Sequence, residues 1–162
     1  MLEPEETVER FFEVFKHMKD KMGPVLVQLP PSLKFDYERA EHFFSILKKD
    51  YKGYDFALEV RHQTWMTEDS LTLMAKYDVA FVISQSGVKF PYAEMVTAKN
   101  IYIRFHGPKE LYSSAYSDEM LENFAKKFKA WIREGHYLWV FFNNDVHAYA
   151  IRNAKTLMAM MQ

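Results

Sequence analysis

Apolar residues recur along this chain in two rhythms, one of about 3.6 residues and one of two, and the two rhythms alternate. Pro4 followed by Glu5 and Glu6 suits a helix start, since proline's missing N–H costs nothing in a first turn and acids complement the helix dipole. Val8, Phe11, Phe12, Phe15, Met18 and Met22 then share helical spacing until Gly23 and Pro24, which predicts an amphipathic helix of about 18 residues. Val25 to Leu29 reads as a short buried strand whose one polar residue is Gln28, closed by Pro30 and Pro31. Asp36 is placed to cap a helix that keeps Tyr37, Ala40, Phe44 and Leu47 on one face and ends at Gly53. A strand over 55 to 61 follows. Thr67, with Glu68 and Asp69 behind it, caps a helix carrying Leu71, Met74 and Tyr77 inward, and Val79 to Ser84 is an uninterrupted strand run.

Between Ser86 and Lys99 the pattern fails, and Gly87, Phe90, Pro91 and Tyr92 predict an ordered loop with one helical turn near Ala93 to Val96. A strand over 101 to 106 leads into Gly107 and Pro108 and a loop bearing Tyr112 and Tyr116. Ser117, Asp118 and Glu119 start the longest helix, with Met120, Phe124, Phe128 and Trp131 on one stripe and Gly135 past its end. Tyr137 to Phe142 is a fifth strand, stopped by Asn143, Asn144 and Asp145, and Tyr149 to Met161 reads as a closing helix.

Strands that alternate with helices argue for parallel pairing through crossovers, hence an α/β fold in a single domain over 1–162. In an open doubly wound sheet helices cover both faces, and mid-strand residues of both parities are apolar. Here one parity carries Gln28, Glu59, Arg61, Arg104 and His106, while Phe56, Leu58, Val60, Ile101, Ile103 and Phe105 fill the other. A barrel with its polar parity facing the lumen fits better. A complete eight-unit barrel takes about 250 residues, so five strands leave about 90 residues to three further units. The expectation is a partial TIM-type barrel of five parallel strands with helices outside and the N-terminal three βα units absent.

Composition narrows the function classes. Twenty-one basic side chains against 22 acidic ones give a formal charge of −1, with no long like-charge block that would create a polyanion-binding field. With no cysteine there is no disulfide framework, thiolate metal site or cysteine nucleophile, which suits a reducing, cytoplasmic setting. The amino terminus lacks the basic and apolar blocks of a signal peptide, and no apolar run approaches the ~18 residues of a membrane span. No membrane partner is expected.

The motifs GPVLVQLPPSLKFD at 23–36, ALEVRHQTW at 57–65, KFPYAEMVTAKNIYIRFHG at 89–107, YSDEMLENFAKK at 116–127 and VFFNNDVHAYAIRNA at 140–154 resemble the YecE-like family, domain of unknown function 72. The resemblance runs in order over nearly the whole chain. It implies a TIM-type barrel and brings no established activity. Family members begin with further strands bearing a glycine-serine-tryptophan motif and an asparagine-serine-threonine-phenylalanine-tyrosine motif, and neither occurs here. They usually place proline after the arginine-histidine pair, where this chain has Gln63, and often an acid where Ser84 and Gln85 stand.

The polar parity supplies the candidate chemistry. Glu59 has three readings: general base, metal ligand or salt-bridge partner. Two arginines on neighbouring inward faces would hold it ionised, making it a poor general acid, and pairing alone also explains a buried carboxylate. Arg61 and Arg104 offer planar, bidentate donors for a carboxylate or phosphate. His62 and His106 offer proton transfer; His106 is preferred because His62 has the opposite parity to Glu59. Glu59 and His106 are therefore the catalytic candidates. Gln28, His62, Trp65, Tyr92, Tyr112 and Tyr116 join the ligand-binding candidates, the last four because loops after barrel strands carry the active face and aromatics there stack on sugars or bases. Asn143 and Asn144 complete that set. Asn143 shares a face with Tyr137, Trp139 and Phe141, whereas Asp145 is assigned to capping the next helix. Glu59, His106 and Asp145 are the residues that would hold a metal, but no tight ligand spacing such as HExxH occurs, so a metal is not favoured and the cofactor stays unassigned.

The leading expectation is an enzyme-like barrel whose mouth binds an anionic or polyhydroxylated ligand, a phosphorylated sugar or nucleic acid component, with hydrolysis as its chemistry. The competing one is a non-catalytic binding or assembly module that completes its barrel with a separately encoded N-terminal part or by self-association. A truncated relic without activity is the third.

Overall fold

A computed structural model describes residues 4–87 and 89–162. Ten main elements follow in order: α1 (Pro4–Phe15), β1 (Val25–Gln28), α2 (Tyr37–Asp50), β2 (Phe56–Glu59), α3 (Glu68–Tyr77), β3 (Val79–Gln85), β4 (Asn100–Phe105), α4 (Asp118–Arg133), β5 (Tyr137–Phe142) and α5 (Tyr149–Met161). The strands form one parallel sheet in the order β1-β2-β3-β4-β5, with Gln28 beside Glu59, Ser84 beside Arg104 and Arg104 beside Phe141.

The capping residues act as their chemistry requires. Asp36 accepts a hydrogen bond from the Arg39 N–H, Thr67 from the Ser70 N–H and Ser117 from the Met120 N–H, each satisfying a donor that the first helical turn leaves free. Where the pattern overreached, the cause is local. The first helix is α-helical only to Phe15 and continues as a 3-10 helix over Lys16–Lys21, and only Pro4 and Phe12 of α1 are buried. Phe11 and Met18 are exposed, because one strand edge offers too little surface to cover a whole apolar stripe. Tyr37 is likewise exposed, as the first residue of α2 projects beyond the sheet. Residues 93 to 96 form no helical turn. The loop there is held through Thr97, whose hydroxyl accepts from the Phe81 N–H and donates to the Val79 carbonyl.

All five helices cover one face of the sheet. Phe12, Phe44, Met74, Phe124 and Leu157, one from each helix, join a core with Leu58, Phe81, Ile103 and Phe105. The other face carries only a small apolar layer of Ala57, Ala80, Val82 and Tyr102. Above it, toward the C-terminal ends of the strands, sit the polar residues. A doubly wound sheet would place helices on this face too; here the sheet curls around it instead, as a half-barrel. Two contacts register the curl. The indole of Trp139 on β5 lies so near Gly23, just before β1, that a Cβ there would stand 2.6 Å from the ring. The guanidinium of Arg104 on β4 donates to the side-chain carbonyl of Gln28 on β1 at 3.2 Å.

β5 is an edge strand whose Tyr137, Trp139 and Phe141 are exposed on the concave side. No helix among the described residues is long and apolar enough to cross a membrane.

Candidate functional site

Glu59 ends β2 and points to the concave side, fully buried. Its Oε1 accepts from Arg61 Nη2 at 3.0 Å, from the Ser84 hydroxyl at 2.9 Å and from His106 Nε2 at 3.3 Å, while Oε2 pairs with Arg104 Nη1. Burial opposes ionisation of this carboxyl, but the His106 hydrogen bond, the Arg104 charge, the Ser84 hydroxyl and the Arg61 charge outweigh it and hold the pKa at about 2. The carboxylate is therefore permanently charged at neutral pH.

Around it the arginines are held on several sides. Gln28 Oε1 accepts from both Arg61 Nη2 at 3.0 Å and Arg104 Nη1 at 3.2 Å, and Asn143 Oδ1 accepts from Arg104 Nε at 3.2 Å. The Arg61 guanidinium lies 3.8 Å from the centre of the Phe90 ring, a stacked cation–π contact. The arginine side chains retain 10% and 16% of their accessibility, so the cluster is buried but reachable. Among the described residues, Glu59 is the one acid paired with either arginine. Two guanidiniums thus meet one carboxylate. Within this cluster, Arg61 Nε and His106 Nδ1 are buried and have no hydrogen-bond partner among the described residues.

Sequence parity brings Gln28, Glu59, Arg61, Arg104, His106 and Asn143 together as expected from their shared face. Tyr112 joins at the edge, its ring set at 79° against that of His106 with centroids 5.5 Å apart. Its backbone has a φ of 65°, and its N–H donates to the His106 carbonyl. The other candidates are placed elsewhere. His62 turns aside to accept from the Thr64 N–H and bond the Thr64 hydroxyl. Trp65 is buried against Phe35 and donates its indole N–H to the Leu33 carbonyl. Tyr92 bonds Glu94, and burial followed by that bond pushes its phenol pKa up. Tyr116 is buried on Phe105, accepts from the Gly107 N–H and donates to the Gln85 side chain. Asn144 is fully buried and ties the Ser114 carbonyl to Asn153. Asp145 precedes a 3-10 turn over Val146–Ala148 but makes no side-chain cap bond, because His147 and Ala148 adopt positive φ before α5 begins. Nor does Asp145 converge with Glu59 and His106: no group of three or more metal-ligating His, Cys, Asp or Glu side chains occurs among the described residues.

Two contributors lie outside the candidate set. Ser84 stands beside Arg104, at one of the two positions where family members often carry an acid, and its parity is the signal that points to it. Phe90 arrives from the β3–β4 loop, and nothing in its neighbouring residues points to Arg61.

The family model for the protein of unknown function DUF72 matches residues 1–162. The chain belongs to this family. A DUF72 family protein from Thermotoga maritima matches at 27% identity with a TM-score of 0.86, over 98% of this chain and 65% of that one. A DUF72 family protein from Enterococcus faecalis matches in fold at 18% identity with a TM-score of 0.84, over 96% of this chain and 65% of that one. The chain thus spans about 65% of the length of these two DUF72 structures. No curated protein matches it.

Proposed function

We propose that the concave face binds an anionic ligand, carboxylate or phosphate, through Arg61 and Arg104, with His106 and Asn143 contacting its polar groups. The observation that carries this reading is the charge imbalance: two largely buried guanidiniums share a single carboxylate, and a buried net positive charge calls for a counter-anion. Arginine's planar fork suits a carboxylate or phosphate, and Gln28, Asn143 and Phe90 hold both forks before any ligand arrives. Phosphorylated sugars and nucleic acid components are the ligand class, and hydrolysis the reaction class, with His106 as the proton-transfer group and the ionised Glu59 as the carboxylate that orients it. A cysteine-free chain suits a cytoplasmic site of action.

A second reading, in which the five strands are the later part of a TIM-type barrel and complete it with another chain or a second copy, is favoured by the two open edges. Tyr137, Trp139 and Phe141 stand exposed on β5, and an apolar groove lined by Val8, Phe11, Val25, Val27 and Phe43 runs beside β1 rather than over Glu59. The three N-terminal βα units would occupy that gap. Ligand binding and assembly are compatible.

Calorimetric titration with inorganic phosphate and ribose 5-phosphate tests the first reading, on the wild-type chain and on Arg104→Ala. Binding by the wild type, lost in a variant that still melts cooperatively, is the expected result. Equal binding by both would remove Arg104 from the site, and no binding by the wild type would end the proposal.

A further inference from the structure

The two amides of the concave face have only one way to turn. A guanidinium carries five N–H donors and no acceptor, so an amide bonded to it must present its oxygen. Gln28 Oε1 accepts from Arg61 Nη2 at 3.0 Å and from Arg104 Nη1 at 3.2 Å, and Asn143 Oδ1 accepts from Arg104 Nε at 3.2 Å. Each amide therefore turns its NH2 group away from the guanidiniums. Neither Gln28 Nε2 nor Asn143 Nδ2 is bonded among the described residues, and the Gln28 side chain is exposed. Arg61 Nη1 and Arg104 Nη2 likewise have no partner among the described residues, on side chains that solvent still reaches. These four donors sit on or just beyond β1, β2, β4 and β5, so they line both sides of the curl. The side-chain acceptors of the cluster are taken or closed off. Glu59 is fully buried, with Oε1 accepting three hydrogen bonds and Oε2 paired with Arg104. Ser84 and His106 are buried with it, and the two amide oxygens are held by the arginines.

Resting on the anion-binding reading, we propose that the mouth is a donor-only site, which takes oxyanion groups whose oxygens all accept and rejects those that keep a proton. Ionised carboxylates, sulfate and sulfonate groups, phosphodiesters and doubly ionised phosphate monoesters meet that requirement. A singly ionised phosphate monoester does not. Its remaining P–O–H faces N–H groups with nothing to accept its hydrogen, and a polar group left unpaired in a site is what separates close analogues. Phosphate monoesters have a second pKa of about 6, so the site distinguishes two forms that coexist near neutral pH. The titratable groups at the two guanidiniums are Glu59 from β2, bonded to both, and His106 from β4, bonded to Glu59 with Tyr112 beside it. Gln28, Ser84 and Asn143, from β1, β3 and the end of β5, and Phe90 from the β3–β4 loop do not titrate. The proton that decides binding is the ligand's own.

Methanesulfonate and methylphosphonate separate the proton from the charge. At pH 5.5 both are tetrahedral monoanions of one shape, and they differ by a single P–O–H hydrogen. In NMR titrations of the full chain at that pH, methanesulfonate is expected to bind about tenfold more tightly, the equivalent of about 1.4 kcal/mol. At pH 9, where methylphosphonate has lost that proton, its affinity is expected to equal or exceed that of methanesulfonate. Protonation of His106 does not produce the difference at pH 5.5, because both compounds meet the same protein. In Gln28→Glu one carboxylate oxygen stays on the arginines and the other turns an acceptor into the site, so the preference at pH 5.5 is expected to vanish or reverse. Equal affinities at pH 5.5, or an unchanged preference in Gln28→Glu, would overturn the donor-only assignment while leaving anion binding in place. Binding of methylphosphonate alone, and only at pH 9, would mean that the site counts charge rather than protons and would also overturn it. If neither compound binds at either pH, the anion reading falls and this one with it.

Discussion

Arg104 and Gln28 lie on strands that are never neighbours in the sheet, β4 and β1, yet the guanidinium of one donates to the amide carbonyl of the other at 3.2 Å. That contact spans the concave face. It requires the sheet to curl, and it places Glu59, from β2, beneath the same guanidinium. The fold and the site are therefore coupled through a handful of polar contacts, and perturbing either should register in both.

Glu59 is the common acceptor of the cluster, so removing its charge leaves two guanidiniums facing each other with no acid between them. Glu59→Gln is expected to destabilise the protein by about 3 kcal/mol, at the lower end of what breaking a buried ion pair costs. Urea unfolding followed by circular dichroism measures it. A loss within about 0.5 kcal/mol, the usual range for surface substitutions, would show that the pairs are not maintained in solution.

The same carboxylate sets an acid limit. Its pKa falls from 4.5 to about 2 on folding, so the native state binds the proton less well than the unfolded chain. The resulting stabilisation, of about 3 kcal/mol, is fully present above pH 4.5 and is lost as the pH falls through about 2. Urea midpoints of wild type and Glu59→Gln should therefore converge between pH 5 and pH 2.5. A gap that stays constant over this range would contradict the assignment.

Gly23 and Trp139 test the curl by themselves. A Cβ at Gly23 would stand 2.6 Å from the indole, whose N–H is held by Asn100 Oδ1 at 2.8 Å and so resists moving away. Gly23→Ala is expected to cost about 1 to 3 kcal/mol, the range for overpacking. Most of that cost should vanish in a Trp139→Ala background, giving a coupling of about 1 kcal/mol or more in a double-mutant cycle. Additive effects would mean that β5 and the segment before β1 are apart in solution.

Phe90 supports the Arg61 plane from a loop with few other ties to the site. Phe90→Ala is expected to leave the melting temperature nearly unchanged and to weaken phosphate binding about threefold to fivefold, in line with a partly exposed cation–π contact of about 0.5 to 1 kcal/mol. Calorimetry gives the affinity directly. An unchanged affinity would make Phe90 a cover only.

Much of this molecule was legible in one dimension. Tyr137–Phe142 and Tyr149–Met161 match their structural elements residue for residue, and the caps Asp36, Thr67 and Ser117 bond as their positions imply. Strand alternation is a local rule set by backbone geometry, so it also sorted Gln28, Glu59, Arg61, Arg104, His106 and Asn143 onto one face. Aromatic residues in loops obeyed no such rule. Trp65 and Tyr116 turned into the core, His62 turned to the backbone N–H of Thr64, and Phe90 reached Arg61 from 29 positions away in sequence. The direction of a loop side chain depends on what the rest of the chain leaves vacant, which periodicity does not encode. By itself the sequence determined the order of elements, their parallel pairing and the polar parity. Only the tertiary structure decided that a single carboxylate serves two arginines and a histidine, because that convergence depends on how far the sheet curls.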